Sequence, residues 1–233
     1  METWLELARG PVFLFAITFM VLGLARHLIL AVWESIRTYY RAGDKVIPYK
    51  QVAKITGQWL FPIIKLRERT LYGMTTIALH VSIIITPILL GGHIALIRRG
   101  TGLGWPAIPN VLADYLTIVA ILAALALIVQ RALKSDARGI SKFRDYVLLV
   151  LICVPFASGF MVMHPSFNPL PFQAMLLIHV MSADLILILI PVTKISHCVL
   201  TPVSQIITEL AWHWPPDAGS KLGVTLGKEN EPV

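Results

Sequence analysis

Cysteine is nearly absent, with only Cys153 and Cys198 among 233 residues, and charged side chains make up just 14%. Both cysteines sit in apolar runs and no C-x-x-C occurs. The chain therefore cannot build its own thiolate-ligated iron–sulfur cluster or structural zinc. A secreted disulfide scaffold is excluded on the same ground. A soluble domain carries about 25% charged residues. The shortfall here, with 56% hydrophobic residues and a mean hydropathy of +0.73, excludes a water-soluble domain and a disordered chain alike. Acidic residues are scarcer than basic ones, 13 against 20, for a net charge of +7. Most of that excess lies between apolar runs, where it anchors cytoplasmic loops, so it gives no reason to expect nucleic acid. The start, Met1-Glu2-Thr3-Trp4-Leu5-Glu6, is acidic where a leader would be basic, and the first apolar run lacks an A-x-A end. No cleaved signal peptide is expected.

What is present is a set of apolar runs of membrane length. A hydrocarbon core about 30 Å thick needs roughly 20 residues of helix. Five runs qualify, at about Gly10–Trp33, Leu71–Ile97, Val111–Leu133, Tyr146–His164 and Leu170–Leu200. In lipid each backbone polar group must be satisfied within its own segment, so each run is expected to be a helix. The first loop carries Arg37, Arg41, Lys45, Lys50, Lys54, Lys65, Arg67 and Arg69, and the third Lys134, Arg138, Lys142 and Arg144. The second has only Arg98 and Arg99, and the fourth has no basic residue. Basic odd-numbered loops predict an outside N-terminus and a cytoplasmic C-terminus in a bacterial-type inner membrane. The expected architecture is an all-α integral membrane protein with a five-helix domain over 1–205. Its interfacial cytoplasmic loop spans about 35–70, and residues 206–233 form a cytoplasmic tail. Tyr39, Tyr40, Ile47, Tyr49, Trp59, Leu60, Phe61 and Ile63 in that loop read equally as an aromatic headgroup belt or a docking surface for a cytoplasmic protein.

Seven histidines occur, at 27, 80, 93, 164, 179, 197 and 213. An ionisable side chain inside a membrane is costly without a partner, and haem iron takes an imidazole on each face. His179 and His197 are 18 residues apart, which is about five whole turns and roughly 27 Å along a continuous helix. Both would project from one face, one towards each side of the bilayer. The second run crosses in the opposite direction. It places His80 level with His197 at the inner side and His93 level with His179 at the outer side. Two antiparallel helices would then each supply one axial ligand to each of two stacked haems. The 13 residues from His80 to His93 leave their rings about 140° apart on an ideal helix. Pro87 and Gly91-Gly92 lie between them and could kink His93 back towards the bundle. Otherwise His164 would be the second outer ligand, or only the inner haem would exist. His27 is expected to partner a propionate or the backbone, and His213, between Trp212 and Trp214, to lie at the interface.

The fifth run reads His179-Val-Met-Ser-Ala-Asp-Leu-Ile-Leu-Ile-Leu-Ile-Pro191-Val-Thr-Lys194-Ile-Ser-His197. It resembles the last helix of the gamma, cytochrome b, subunit of respiratory nitrate reductases in its 18-residue histidine spacing and its Pro-x-Ser/Thr-Lys/Arg-x-x-His ending. Gly23-Leu-Ala-Arg26 is similar to a Gly-x-x-Arg of that family. Related subunits serve membrane heterodisulfide reductases and sulfite-reduction-linked complexes. The resemblance covers roughly residues 10 to 205 and implies two b-type haems, a quinol or quinone site near the outer haem, and an iron–sulfur oxidoreductase subunit at the cytoplasmic face. Further membrane or exterior cytochrome subunits are compatible with it. It also implies that His80 and His197 ligate the inner iron and His93 and His179 the outer one. The His80–His93 spacing is longer here than in the nitrate reductase subunit.

Arg26, Lys194, Arg69, Arg98 and Arg99 lie near the expected haem levels and are candidate propionate partners. Snorkelling to the interface explains each equally well. Asp114, Tyr115 and Ser166 are candidates for bonding a quinone, and Asp184 is expected to be neutral or paired. Ser158 and Gly159, after Pro155, leave room for a haem face or for close helix packing. Both cysteines read as apolar fillers. The rival to an electron conduit is a haem-free anchor or transporter with a histidine proton relay. Pro87, Pro155 and Pro191 interrupt three runs without the two-fold pattern that transporters show.

Overall fold

A computed structural model describes residues 1–41, 49–60, 70–211 and 218–229. Eleven α-helices run through them: α1 (Glu2–Leu7), α2 (Phe13–Arg41), α3 (Tyr49–Leu60), α4 (Thr70–Leu89), α5 (Gly91–Thr101), α6 (Asn110–Leu133), α7 (Ser135–Ile140), α8 (Phe143–Met163), α9 (Phe172–Val192), α10 (His197–Ala211) and α11 (Ala218–Leu226). The described residues contain no strand. A π-helical turn, Ala8–Val12, joins α1 to α2 and contains Pro11, whose missing N–H loosens the ladder there.

Five stretches are long and apolar enough to cross a membrane: Glu2–Arg41, Thr70–Leu89, Asn110–Leu133, Phe143–Met163 and Phe172–Val192. The chain is thus an all-α protein with the architecture of a multi-pass membrane protein. Its large apolar side chains stay outward, as lipid allows. Leu22, Ile29, Trp33 and Leu122 are each more than 60% exposed. Loop residues 42–48 and 61–69, including Lys45, Ile47, Phe61, Ile63, Lys65, Arg67 and Arg69, lie outside the described residues, as do Trp212, His213 and Trp214. Between the two loop gaps the chain forms α3, with Lys50 and Lys54 on it.

The chain divides into two compact units. The first joins Met1–Phe19 with Lys65–Ile188, and the second joins Met20–Ile64 with Leu189–Val233. In the first unit α4 packs closely on α6, and α6 on α8. Alanines make this possible: Ala120, Ala123 and Ala124 are buried along α6, and small side chains let backbones approach. Leu79, Leu127 and Leu149 fill the remaining core. In the second unit α3 packs on α10.

Two helices end sooner than their apolar runs. The second run breaks at Leu90, which is extended at φ −72° and ψ 129°, and resumes as α5. The fifth run breaks at Thr193 (φ −124°, ψ −175°), passes through a 3-10 turn at Lys194–Ser196, and resumes as α10. Proline explains both places. Pro87 and Pro191 lie three and two residues upstream, and each removes a helical N–H donor. Counting whole turns from His179 to His197 therefore does not describe the backbone between them.

Candidate functional site

The break at Leu90 exposes the last carbonyls of α4, and each finds a donor. The Leu90 amide bonds Thr86 O, the Ile108 amide bonds Leu89 O, and the Trp105 indole N–H donates to Ile88 O at 2.8 Å. The Pro87 carbonyl accepts from His93 Nδ1 at 3.0 Å. Capping α4 thus fixes the His93 ring, and the break turns it to a place that an unbroken helix would not reach.

That place is beside His179. The two ring centroids are 5.9 Å apart and the planes differ by 12°. The His179 Nδ1 donates to the Pro155 carbonyl at 2.8 Å. Gly159, four residues after Pro155, makes the approach possible. A Cβ on Gly159 would stand 2.8 Å from His179 Cε1. Pro155-Phe-Ala-Ser-Gly159 on α8 and Pro87-Ile-Leu-Leu-Gly91 at the end of α4 share one Pro-x-x-x-Gly pattern. In both, the proline carbonyl holds an imidazole.

A carbonyl oxygen only accepts, so the bonded ring nitrogen must carry the proton. Both rings are thereby set as Nδ1–H tautomers with the lone pair on Nε2, the form that ligates metals. Two imidazoles on opposite sides of one ion, with N–metal bonds of about 2.0 Å, hold their centroids roughly 6 Å apart. The observed centroid spacing is close to that value. His80 donates through Nδ1 to Thr76 O at 2.7 Å, and His197 through Nδ1 to Lys194 O at 2.8 Å. All four expected ligands therefore share one mode of backbone support. His80 belongs to the first unit and His197 to the second.

His27 behaves differently. Its Nε2 donates to the Pro191 carbonyl at 2.7 Å, so the nitrogen that would ligate is already used. This is the backbone partnership expected for it. One turn earlier Gly23 lies against Pro191, where a Cβ would come within 2.5 Å of the proline Cβ. His164, the alternative outer ligand, bonds Phe160 O through Nδ1 at 3.0 Å and faces Asp114, with Nε2 3.5 Å from Oδ2.

The candidate propionate partners fall in several places. Arg26 and Lys194 are exposed in the second unit. Arg98 lines a cleft of about 460 Å³ with Ile94, Gly102, Gly104, Trp105 and Pro106, on the same helix as His93. Arg99 is exposed beside it. Arg9 lies on the π-helical turn in the first unit. Sequence reasoning passed over Arg9, although the Pro11 just after it marks an interrupted helix. It also passed over the Pro-x-x-x-Gly repeat. Asp184 is 2% exposed and neither carboxylate oxygen has a hydrogen-bond partner among the described residues. Of the alternatives expected for it, pairing is not realised there. No cluster of three or more metal-ligating side chains occurs among the described residues. Cys198 is exposed and Cys153 half-buried.

These observations define an all-helical membrane protein with an oriented histidine pair between spans. No family model matches the chain, and no solved structure does. It is similar to a protein of Nitratidesulfovibrio vulgaris (strain Hildenborough), with 28% identity over 151 residues. The match covers 64% of this chain and 65% of that protein, so it spans just under two thirds of the relative's length. The relative's name states no activity.

Proposed function

We propose that the chain is the di-haem b membrane subunit of a respiratory complex. In this reading it passes electrons between the quinone pool and a cytoplasmic iron–sulfur partner subunit. The observation that carries the reading is the His93–His179 pair, brought to 5.9 Å with each Nδ1 held by a proline carbonyl. His93 and His179 would hold the outer haem, and His80 and His197 the inner one. Haem supplies reversible one-electron chemistry when bound. The protein's own contribution is orientation, since carbonyl bonds fix each ring and raise its basicity as a ligand. Arg9 and Arg98 would offer cationic donors to propionates at the outer level. The resemblance to nitrate reductase gamma subunits supports the same assignment, with the N-terminus outside and the basic loops facing the cytoplasm of an inner membrane.

A proton relay through the histidines is the competing reading. It needs rings that bond one another or a chain of water. His93 and His179 each commit Nδ1 to a proline carbonyl. A carbonyl in a helix does not pass a proton on.

The test is optical. Purified protein from haem-replete cells, reduced with dithionite, should give b-type absorbance bands, and a colourless preparation would overturn the proposal. His179→Ala and His197→Ala should each delete a different haem. Loss of the same haem by both would refute the two-level pairing.

A further inference from the structure

We propose that Asp114 and His164 form a two-residue site for a tetrahedral divalent cation of the zinc type, which ties the start of α6 to the end of α8. The site uses neither His93 nor His179 and rests on no part of the haem reading.

The two side chains come from helices that already pack on each other. Asp114 stands four residues after Asn110, where α6 begins, and His164 is the residue at which α8 ends. The His164 ring is held on three sides. Its Nδ1 donates to Phe160 O at 3.0 Å. Phe160 stacks on it at 4.2 Å and 21°, and Phe167 meets it edge-on at 6.5 Å. A carbonyl on Nδ1 leaves the Nε2 lone pair free, and it is the support that metal-bound imidazoles ordinarily have. Nε2 faces Asp114 Oδ2 across 3.5 Å.

That distance separates the possibilities. A charge-assisted hydrogen bond would close to about 2.7–2.9 Å. Octahedral magnesium, with bonds of about 2.1 Å at right angles, would hold neighbouring ligand atoms about 3.0 Å apart. Tetrahedral zinc, with bonds of about 2.0–2.1 Å to nitrogen and 2.0–2.2 Å to oxygen, holds them about 3.3–3.5 Å apart. The observed gap matches the last of these. An imidazole and a carboxylate also suit zinc, whereas calcium takes oxygen ligands. The side chains are 31% and 34% exposed, so an aqueous ion can enter. No third metal-ligating side chain joins them among the described residues, and water completes the coordination. The site is thus an open one, loaded from solution, and its effect is to clamp two spans together.

Zinc chloride titrated calorimetrically into untagged full-length protein in phosphatidylcholine nanodiscs tests this. Even second-shell partners of a metal ligand are worth about 10–100-fold in affinity. His164→Gln and Asp114→Asn, which remove ligands, should each weaken zinc binding about tenfold or more. The double variant should be no worse than the weaker single one, because both side chains serve one ion. Asp114→His exchanges one zinc ligand for another and should retain binding, and loss there would count against a metal. Magnesium chloride in excess should not displace the zinc. Thermal unfolding gives a second readout. Zinc should raise the Tm of the wild type and of Asp114→His, and leave that of His164→Gln and Asp114→Asn unmoved. Wild-type affinity and a wild-type Tm response in both of the latter would overturn the proposal, whatever the haem content. A zinc site lost only in His93→Ala or His179→Ala would also overturn it, by moving the ion to the other histidine pair.

Discussion

Three prolines inside the spans each present a carbonyl to a histidine: Pro87 to His93, Pro155 to His179 and Pro191 to His27. At the scale of single residues, glycine makes two of these seats possible. Gly159→Ala would place a methyl 2.8 Å from His179 Cε1. The expected outcome is loss of about half the b-type absorbance, read from dithionite-reduced spectra, with the other haem retained. Gly23→Ala would drive a methyl into Pro191. Overpacking of this kind costs about 1–3 kcal/mol, and thermal unfolding in detergent should show the drop. His27→Gln tests the opposite expectation. Nε2 of His27 is spent on Pro191, so this variant should keep both haems, and loss of either would count against this backbone role for His27.

Among the secondary-structure elements, the interrupted helices decide what the sequence discloses. The five apolar runs are readable from composition, and the histidines on them from position. The direction of the His93 ring is not, because an ideal helix misplaces it by about 140° and only the backbone break at Leu90 corrects this. Pro87 and Gly91-Gly92 announce a kink, but a kink's size depends on what caps the freed carbonyls. Here Trp105 and Ile108, 15 or more residues downstream, do that capping. The same long-range dependence hides His164, whose partner Asp114 lies 50 residues earlier. Pro87→Ala would restore a backbone donor and favour a continuous α4. We expect His93 to swing away from His179 and the outer haem to be lost, while His197→Ala in the same assay removes the inner one. Outer haem retained at full occupancy in Pro87→Ala would mean that the break does not depend on this proline.

The whole molecule is governed by the placement of its charge. Basic residues follow the first and third spans, and the second loop holds two arginines. The orientation this predicts can be checked with single cysteines in a Cys198→Ala background, since Cys198 is exposed. Leu103→Cys in the second loop should react with an impermeant maleimide from outside intact cells. Ala137→Cys in the third should react only after the membrane is opened. The reversed pattern would invert the topology and put the level of the His93–His179 pair on the cytoplasmic side.

The carbonyl tethers on His93 and His179 are made entirely within the polypeptide, so in the proposed haem reading neither ring would wait for iron to find its position. Much of the entropy of ligand ordering is settled when the spans assemble. In that reading maturation would follow insertion. Apoprotein accumulated in haem-starved cells would keep a ready receptacle and should acquire its colour within minutes of haemin addition, without unfolding or new synthesis.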